Sequence, residues 1–435
     1  MILGHAQESP QAQENLEKRL RAFVTAKEEQ THALAAELKL QLPGKVWDFF
    51  ESARGSDWIA TSNLFNRLAE QSGRASGKVD TNLSSVAWQP LSEVDMALEE
   101  SHLMGARHAI AFGDGIISSL PKGAIYFGGT DSGRGLVTAL CSSHARGEPF
   151  FTITQNALAD ATYVDYVRLT YGRQFKVPDP EDVARAFTEY AADAAIRAAE
   201  KRLRPGEEVT TLPDGRSAVS GTTAVMDING RLVRMILEKN PDREFFIEES
   251  IPIEWTYPHL TPHGLILKLN HEPLKRLSSE VVDRDHEHWG RLTERLLGRW
   301  LLNDTPLDTV RSFCRRIYLR KDLGGFEGDR SFVGHPDAAK NFGKLRLAQA
   351  SLYQWRADNT EFTDERKAMV AEADLAYRQA LALGAPNLEI YYRYCRFLHG
   401  QKRTDEALAV VALGRELLPD DPSVRDVEKF LKQQP

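Results

Sequence analysis

Between Gly123 and Tyr163 the chain reads as strand, glycine-rich loop, helix, strand, polar loop, helix. Two apolar runs, residues 124–127 (AIYF) and 150–153 (FFTI), are separated by about twenty residues of helix-compatible pattern. That spacing is too long for a hairpin and suits a parallel crossover. Ligands of open α/β sheets bind in the crevice outside the carboxyl ends of the strands. The pattern therefore predicts that Gly129, Thr130, Asp131, Ser132 and Arg134 of the first loop and Gln155, Asn156 and Asp160 of the second share one mouth.

The rest of the chain is arranged around this unit. A length of 435 residues exceeds one ordinary core, since domains cluster at roughly 100–200 residues. Four segments are expected: a helical N-terminal region and linker over 1–90, an α/β domain over 91–275, a helical connector over 276–340, and helical repeats over 341–435. Leu16, Leu20, Phe23, Leu34 and Leu38 recur at helical spacing over 11–41, and Pro43 and Gly44 stop that helix. Residues 45–71 read as an aromatic helical hairpin, 72–87 as a polar linker, and 91–120 as a helix interrupted at Gly113-Asp114-Gly115. Helices over 178–204 and 220–240, the second weakened by Gly230, flank a tight turn at 212–216. Strands at 244–248 and 265–269 bring the sheet to at least four, and Pro252, Pro258 and Pro262 exclude regular structure between them. The predicted class is α/β, with a mostly parallel, three-layer Rossmann-like sheet.

Toward the end, Glu372-Ala373 and Glu406-Ala407 stand 34 residues apart, each followed by an apolar helix and a proline turn. That period with paired helices is the tetratricopeptide signature. The units are placed at 341–383 and 387–418, with a capping helix at 423–432, although the tryptophan-containing opening of the motif is absent. Tyr353, Trp355, Tyr391, Tyr392, Arg393 and Tyr394 are the candidates to line a partner groove.

Composition narrows the function classes. With 55 basic against 62 acidic residues, a net charge of −7 and no dense Lys/Arg run, the chain lacks the basic face that nucleic acid requires. No apolar run reaches the ~18 residues of a spanning helix. Cys141, Cys314 and Cys395 are far apart and read as small buried hydrophobes. The opening MILGHAQESP lacks the features of a signal peptide but is compatible with the stump of one, so the expected compartment is cytoplasmic or, in that case, periplasmic.

The loop GGTDSGRG can be read in two ways. Its glycines, the following helix N-terminus and Arg134 could cradle a phosphate or sugar phosphate. Alternatively, Asp131 or Ser132 simply caps the helix. No metal site is predicted: His259 and His263 are separated by Pro262 and cannot share a helical face, and Asp283 to His288 read as a solvated helix start. Ser142, Ser143 and His144 are adjacent and cannot form a nucleophile–base pair. No motif identifies a cofactor.

On IYFGGTDSG, FFTITQNALADATYVDY and EKNPDREFFIEE, the middle region is similar to the soluble tail domain of bacterial membrane proteins of the protein O-mannosyltransferase-like superfamily. Gly129 matches the motif glycine of that family, but Thr130 and Ser132 stand where its acidic pair would be, leaving Asp131 as the only carboxylate of the loop. The transmembrane part of that family is missing altogether, so lipid-linked sugar transfer does not carry over. The whole chain also resembles bacterial tetratricopeptide proteins of the Verrucomicrobia type, a resemblance that implies no activity. The expected function is a scaffold that binds a protein or peptide through its C-terminal repeats. The alternative is a glycan- or nucleotide-sugar-related enzyme with Asp131 as base or metal contact.

Overall fold

The computed structural model describes residues 10–55, 57–73, 80–211, 217–249 and 252–433. The predicted turn at 212–216, residues 74–79 of the predicted linker and residues 1–9 lie outside them.

The described residues open with five helices: α1 (Pro10–Leu38), α2 (Lys45–Arg54), α3 (Trp58–Gln71), α4 (Trp88–Met104) and α5 (Ala106–Ile117). The apolar stripe of α1 is buried from Leu16 to Leu34 while Leu38 at its end is exposed, and Phe49 and Phe50 of α2 are fully enclosed. Two expectations for this region fail. Leu83, Val86 and Ala87 are buried, so this part of the supposed linker is packed. The helix break falls at Gly105, whose φ of 68° suits glycine, whereas Gly113 and Gly115 sit inside α5.

The central sheet has five strands in the order β2-β1-β5-β7-β6: β1 (Ile125–Gly128), β2 (Phe151–Thr154), β5 (Phe245–Ile247), β6 (Leu260–His263) and β7 (Ile266–Leu269). β1 pairs in parallel with β2, Ile125 opposite Phe151, and with β5, Ile125 opposite Phe245. β7 runs antiparallel to both β5 and β6. The sheet is therefore mixed rather than mostly parallel. The correction comes from β6, which contains Pro262 opposite Leu267 and has β7 as its one sheet neighbour. Proline lacks an N–H donor but is tolerated on such an edge strand. A second, two-stranded sheet, β3 (Glu208–Thr211) with β4 (Ser217–Ser220), was not anticipated.

Alternation along the strands divides the core. Ile125, Phe127, Phe245 and Ile247 pack with the apolar faces of α7 (Ala161–Tyr171), α8 (Pro180–Ala199) and α9 (Thr222–Lys239). Tyr126 and Phe246 face α6 (Asp131–Leu140), the N-terminal helices and the C-terminal helices, in a cluster that runs from Leu16 to Leu431. α9 continues through Gly230 because the missing side chain leaves room for a neighbour: a Cβ there would meet Ile253 Cγ2 at 2.9 Å, and the Trp255 indole donates to the Gly230 carbonyl at 3.0 Å.

After α10 (Ser279–Leu297), α11 (Leu307–Cys314) and α12 (Arg330–Val333) come two helix pairs and a last helix. These are α13 (Pro336–Asn359) with α14 (Thr363–Gly384), α15 (Leu388–Gly400) with α16 (Thr404–Leu417), and α17 (Pro422–Gln433). Ala373 and Ala407, the small residues of the 34-residue period, are both buried in the second helix of their pair.

The segment read as a solvated helix start contains a buried charge. Asp285 of α10 lies against Arg346 of α13 at 2.7 Å with both side chains enclosed, and Tyr353 donates to the same carboxylate oxygen at 2.8 Å. Removing one partner of such a pair costs more than replacing both by apolar groups. Asp285→Leu is expected to lower stability by about 3–5 kcal/mol in urea unfolding, and adding Arg346→Met to recover about half of that loss or more.

Candidate functional site

The loop between β1 and α6 is organised by Thr130. Its backbone is extended and its Oγ1 accepts from the Gly133 N–H at 2.9 Å, which makes Thr130, rather than Asp131 or Ser132, the cap of α6. Such a helix start presents free N–H groups and a partial positive charge to an anion. Here the anion is the protein's own. The carboxylate of Glu248, just beyond β5, accepts from the N–H groups of Gly129 (2.8 Å) and Thr130 (2.6 Å) and from the Thr130 hydroxyl (2.6 Å). It lies so close to the helix that a Cβ on Gly133 would sit 2.0 Å from Glu248 Oε2, so only glycine fits there. Burial pushes the Glu248 carboxyl above its usual range, while its donors and the Lys344 ammonium pull it back.

The predicted residues are only partly brought together. Gly129, Thr130, Gln155 and Asn156 meet at the carboxyl ends of β1 and β2, where the Asn156 amide donates to the Gly129 carbonyl at 2.8 Å. Gln155 is fully buried, and neither polar atom of its amide has a hydrogen-bond partner among the described residues. Asp131 is turned outward to Arg134 at 2.5 Å, Ser132 donates to Glu100, and Asp160 caps α7 through the Thr162 N–H at 2.9 Å. The end of β5 is closed by the C-terminal helices. Glu249 pairs with Arg393 of α15 at 3.2 Å, and the gap lined by Glu249, Lys344, Glu389 and Arg393 holds about 10 Å³.

The residues proposed to line a partner groove divide in the same way. Tyr353, Tyr391 and Tyr394 are fully buried and cannot line an open surface. Tyr394 stacks on Tyr377 at 5.1 Å and donates to Asp374 at 3.0 Å. Arg393 is held by Glu249 and Glu389. Tyr392 is 45% exposed, with the Arg396 guanidinium 5.4 Å from its ring centre. Of the histidines considered for metal binding, His259 faces the Asn270 carbonyl at 2.9 Å and His263 the Ser119 carbonyl at 2.7 Å. Among the described residues no group of three or more His, Cys, Asp or Glu side chains is placed to hold a metal ion, and no helix is long and apolar enough to cross a membrane.

A second polar centre had gone unread. The Lys27 ammonium is fully buried in α1, paired with Glu93 of α4 and within 2.6 Å of His144 Nε2 and 2.7 Å of the Tyr166 hydroxyl. The ring nitrogen facing an ammonium must accept, so His144 is neutral and its pKa is pushed well below the usual value by burial and by Lys27. A signal was present in the sequence: Lys27 follows Phe23 by four residues and precedes Thr31 by four, inside the apolar stripe.

No known protein family, curated protein or solved structure matches the chain.

Glu248→Ala leaves two buried N–H groups without an acceptor and should cost about 3 kcal/mol in chemical unfolding. Glu248→Gln should cost less, because an amide oxygen can serve both N–H groups while the Thr130 hydroxyl turns to accept. For His144 the unfolded chain binds a proton below pH 6.5 that the folded chain refuses. Its contribution to stability is therefore present above that pH and lost as the pH falls. His144→Gln should reduce the slope of stability against pH by about 0.7 kcal/mol per unit at pH 6.5, rising to about 1.4 kcal/mol per unit toward pH 5.

Proposed function

We propose that the protein is a binding scaffold. In this reading the C-terminal helix pairs are tetratricopeptide-like units that engage a protein or peptide partner. The α/β unit, Rossmann-like in its central parallel strands, is the support on which they are mounted. The observation that carries the reading is the filled mouth of the parallel strands. Where an enzyme of this class would hold its substrate, Glu248 takes the Gly129 and Thr130 N–H groups and the Thr130 hydroxyl, and Lys344 and Arg393 of the helical array cover the end of β5. The recognition element left open to solvent is the pair Tyr392 and Arg396, one turn apart on α15. An amphipathic aromatic ring beside a guanidinium is the residue combination that dominates protein interfaces.

The transferase alternative has less support. Asp131 is engaged with Arg134 at the surface, and the Gly129 and Thr130 N–H groups that would help hold a phosphate are taken by Glu248.

Two measurements on the full chain test the scaffold reading. Tyr392→Glu combined with Arg396→Glu should reduce partner capture from lysate at least tenfold with an unchanged melting temperature. Retained capture would move the interface elsewhere. A panel of nucleotides, sugar phosphates and nucleotide sugars should leave the melting temperature where it is, and a saturable rise would restore the enzyme reading.

A further inference from the structure

Among the described residues the α/β unit has an open concavity away from the mouth of the parallel strands. It is a groove of about 640 Å³ bounded by α8, α9 and residues 252–255, within the size range of small-molecule sites. Its floor is apolar and adaptable: Met226, Met235, Ile253 and the indole of Trp255. The indole is fixed by its hydrogen bond to the Gly230 carbonyl.

Three of the four arginines that line the groove are already neutralised. Arg204 pairs with Asp227 at 2.8 Å, Arg231 with Asp227 at 2.8 Å and Asp193 at 2.5 Å, and Arg185 with Asp182 at 2.6 Å. Arg234 differs. It is exposed, its guanidinium lies 4.6 Å from the ring centre of Trp255, and among the described residues no carboxylate pairs with it. The indole face restrains the guanidinium without consuming its N–H donors, which a bidentate carboxylate can use. Glu238 and Glu254, also in the lining, are exposed and unpaired among the described residues. They make the rim hostile to a polyanion.

We propose that this groove binds a small amphipathic monocarboxylate, its carboxylate on the Arg234 edge and its apolar or aromatic body on the Trp255 and methionine floor. One free guanidinium matches one negative charge, and the two carboxylates select against nucleotides and other polyphosphates.

The test uses the full chain with 3-phenylpropionate as probe, its neutral amide and ATP as comparisons, and titration followed by ligand-observed NMR and calorimetry. Saturable binding of the carboxylate, at least tenfold weaker binding of the amide and of ATP, and a tenfold or greater loss in Arg234→Met support the proposal. Because Arg234 is exposed, that variant should keep the wild-type melting temperature. Glu238→Gln gives an independent reading, since removing a repelling charge should tighten binding about threefold. Failure of the carboxylate to saturate, equal binding of amide and carboxylate, tighter binding of ATP, or indifference to Arg234→Met would overturn it. None of these results bears on capture through Tyr392 and Arg396, so the scaffold reading stands or falls separately.

Discussion

The carboxylate of Glu248, seated in the turn between β1 and α6, is the interaction on which the rest of the molecule depends. Enclosing an ionised carboxyl costs several kcal/mol. Here that cost is offset by three donors, two of them backbone groups at a helix start whose own desolvation would otherwise be uncompensated. The arrangement requires a glycine at position 133 and a hydroxyl at position 130. It fastens the end of β5 to the start of α6 and brings the same strand end against Lys344 of α13. The mouth of the parallel strands has become the joint between sheet and helical array.

Much of this frame was legible in the sequence because it rests on local pattern. β1, β2, β5 and β7 are short apolar runs at spacings that admit few topologies, and α8 announces itself by the Asp179 capping box and Pro180. What escaped notice depends on partners far away along the chain. Pro262 reads as a breaker until β7 is known to lie on one side of it only. Asp285 reads as a solvated carboxylate until Arg346 is placed beside it. The loop at Gly129 reads equally well as a ligand cradle, and nothing within it reveals that residue 248 supplies the anion. The aromatic residues of α13 and α15 were candidates for a surface because tyrosine serves both interface and core; packing, invisible in one sequence, chose the core for Tyr353, Tyr391 and Tyr394.

The buried polar groups share one role. Glu248 joins segments 118 residues apart, Asp285 and Arg346 join segments 61 apart, and Lys27 reaches Tyr166 across 139. Each sits where secondary elements from separate parts of the chain cross. Apolar contact alone tolerates sliding and repacking, whereas a charged group with directed donors has few alternative partners. Such groups fix the relative placement of layers that hydrophobic burial drives together.

The position of Lys27 has a consequence for how the molecule is made. The first helix cannot find the imidazole and phenol that receive its ammonium until residues 144 and 166 have left the ribosome. At ordinary rates of synthesis that is a wait on the order of ten seconds. This helix is thus translated well before the residues that receive its charge, and is seated late.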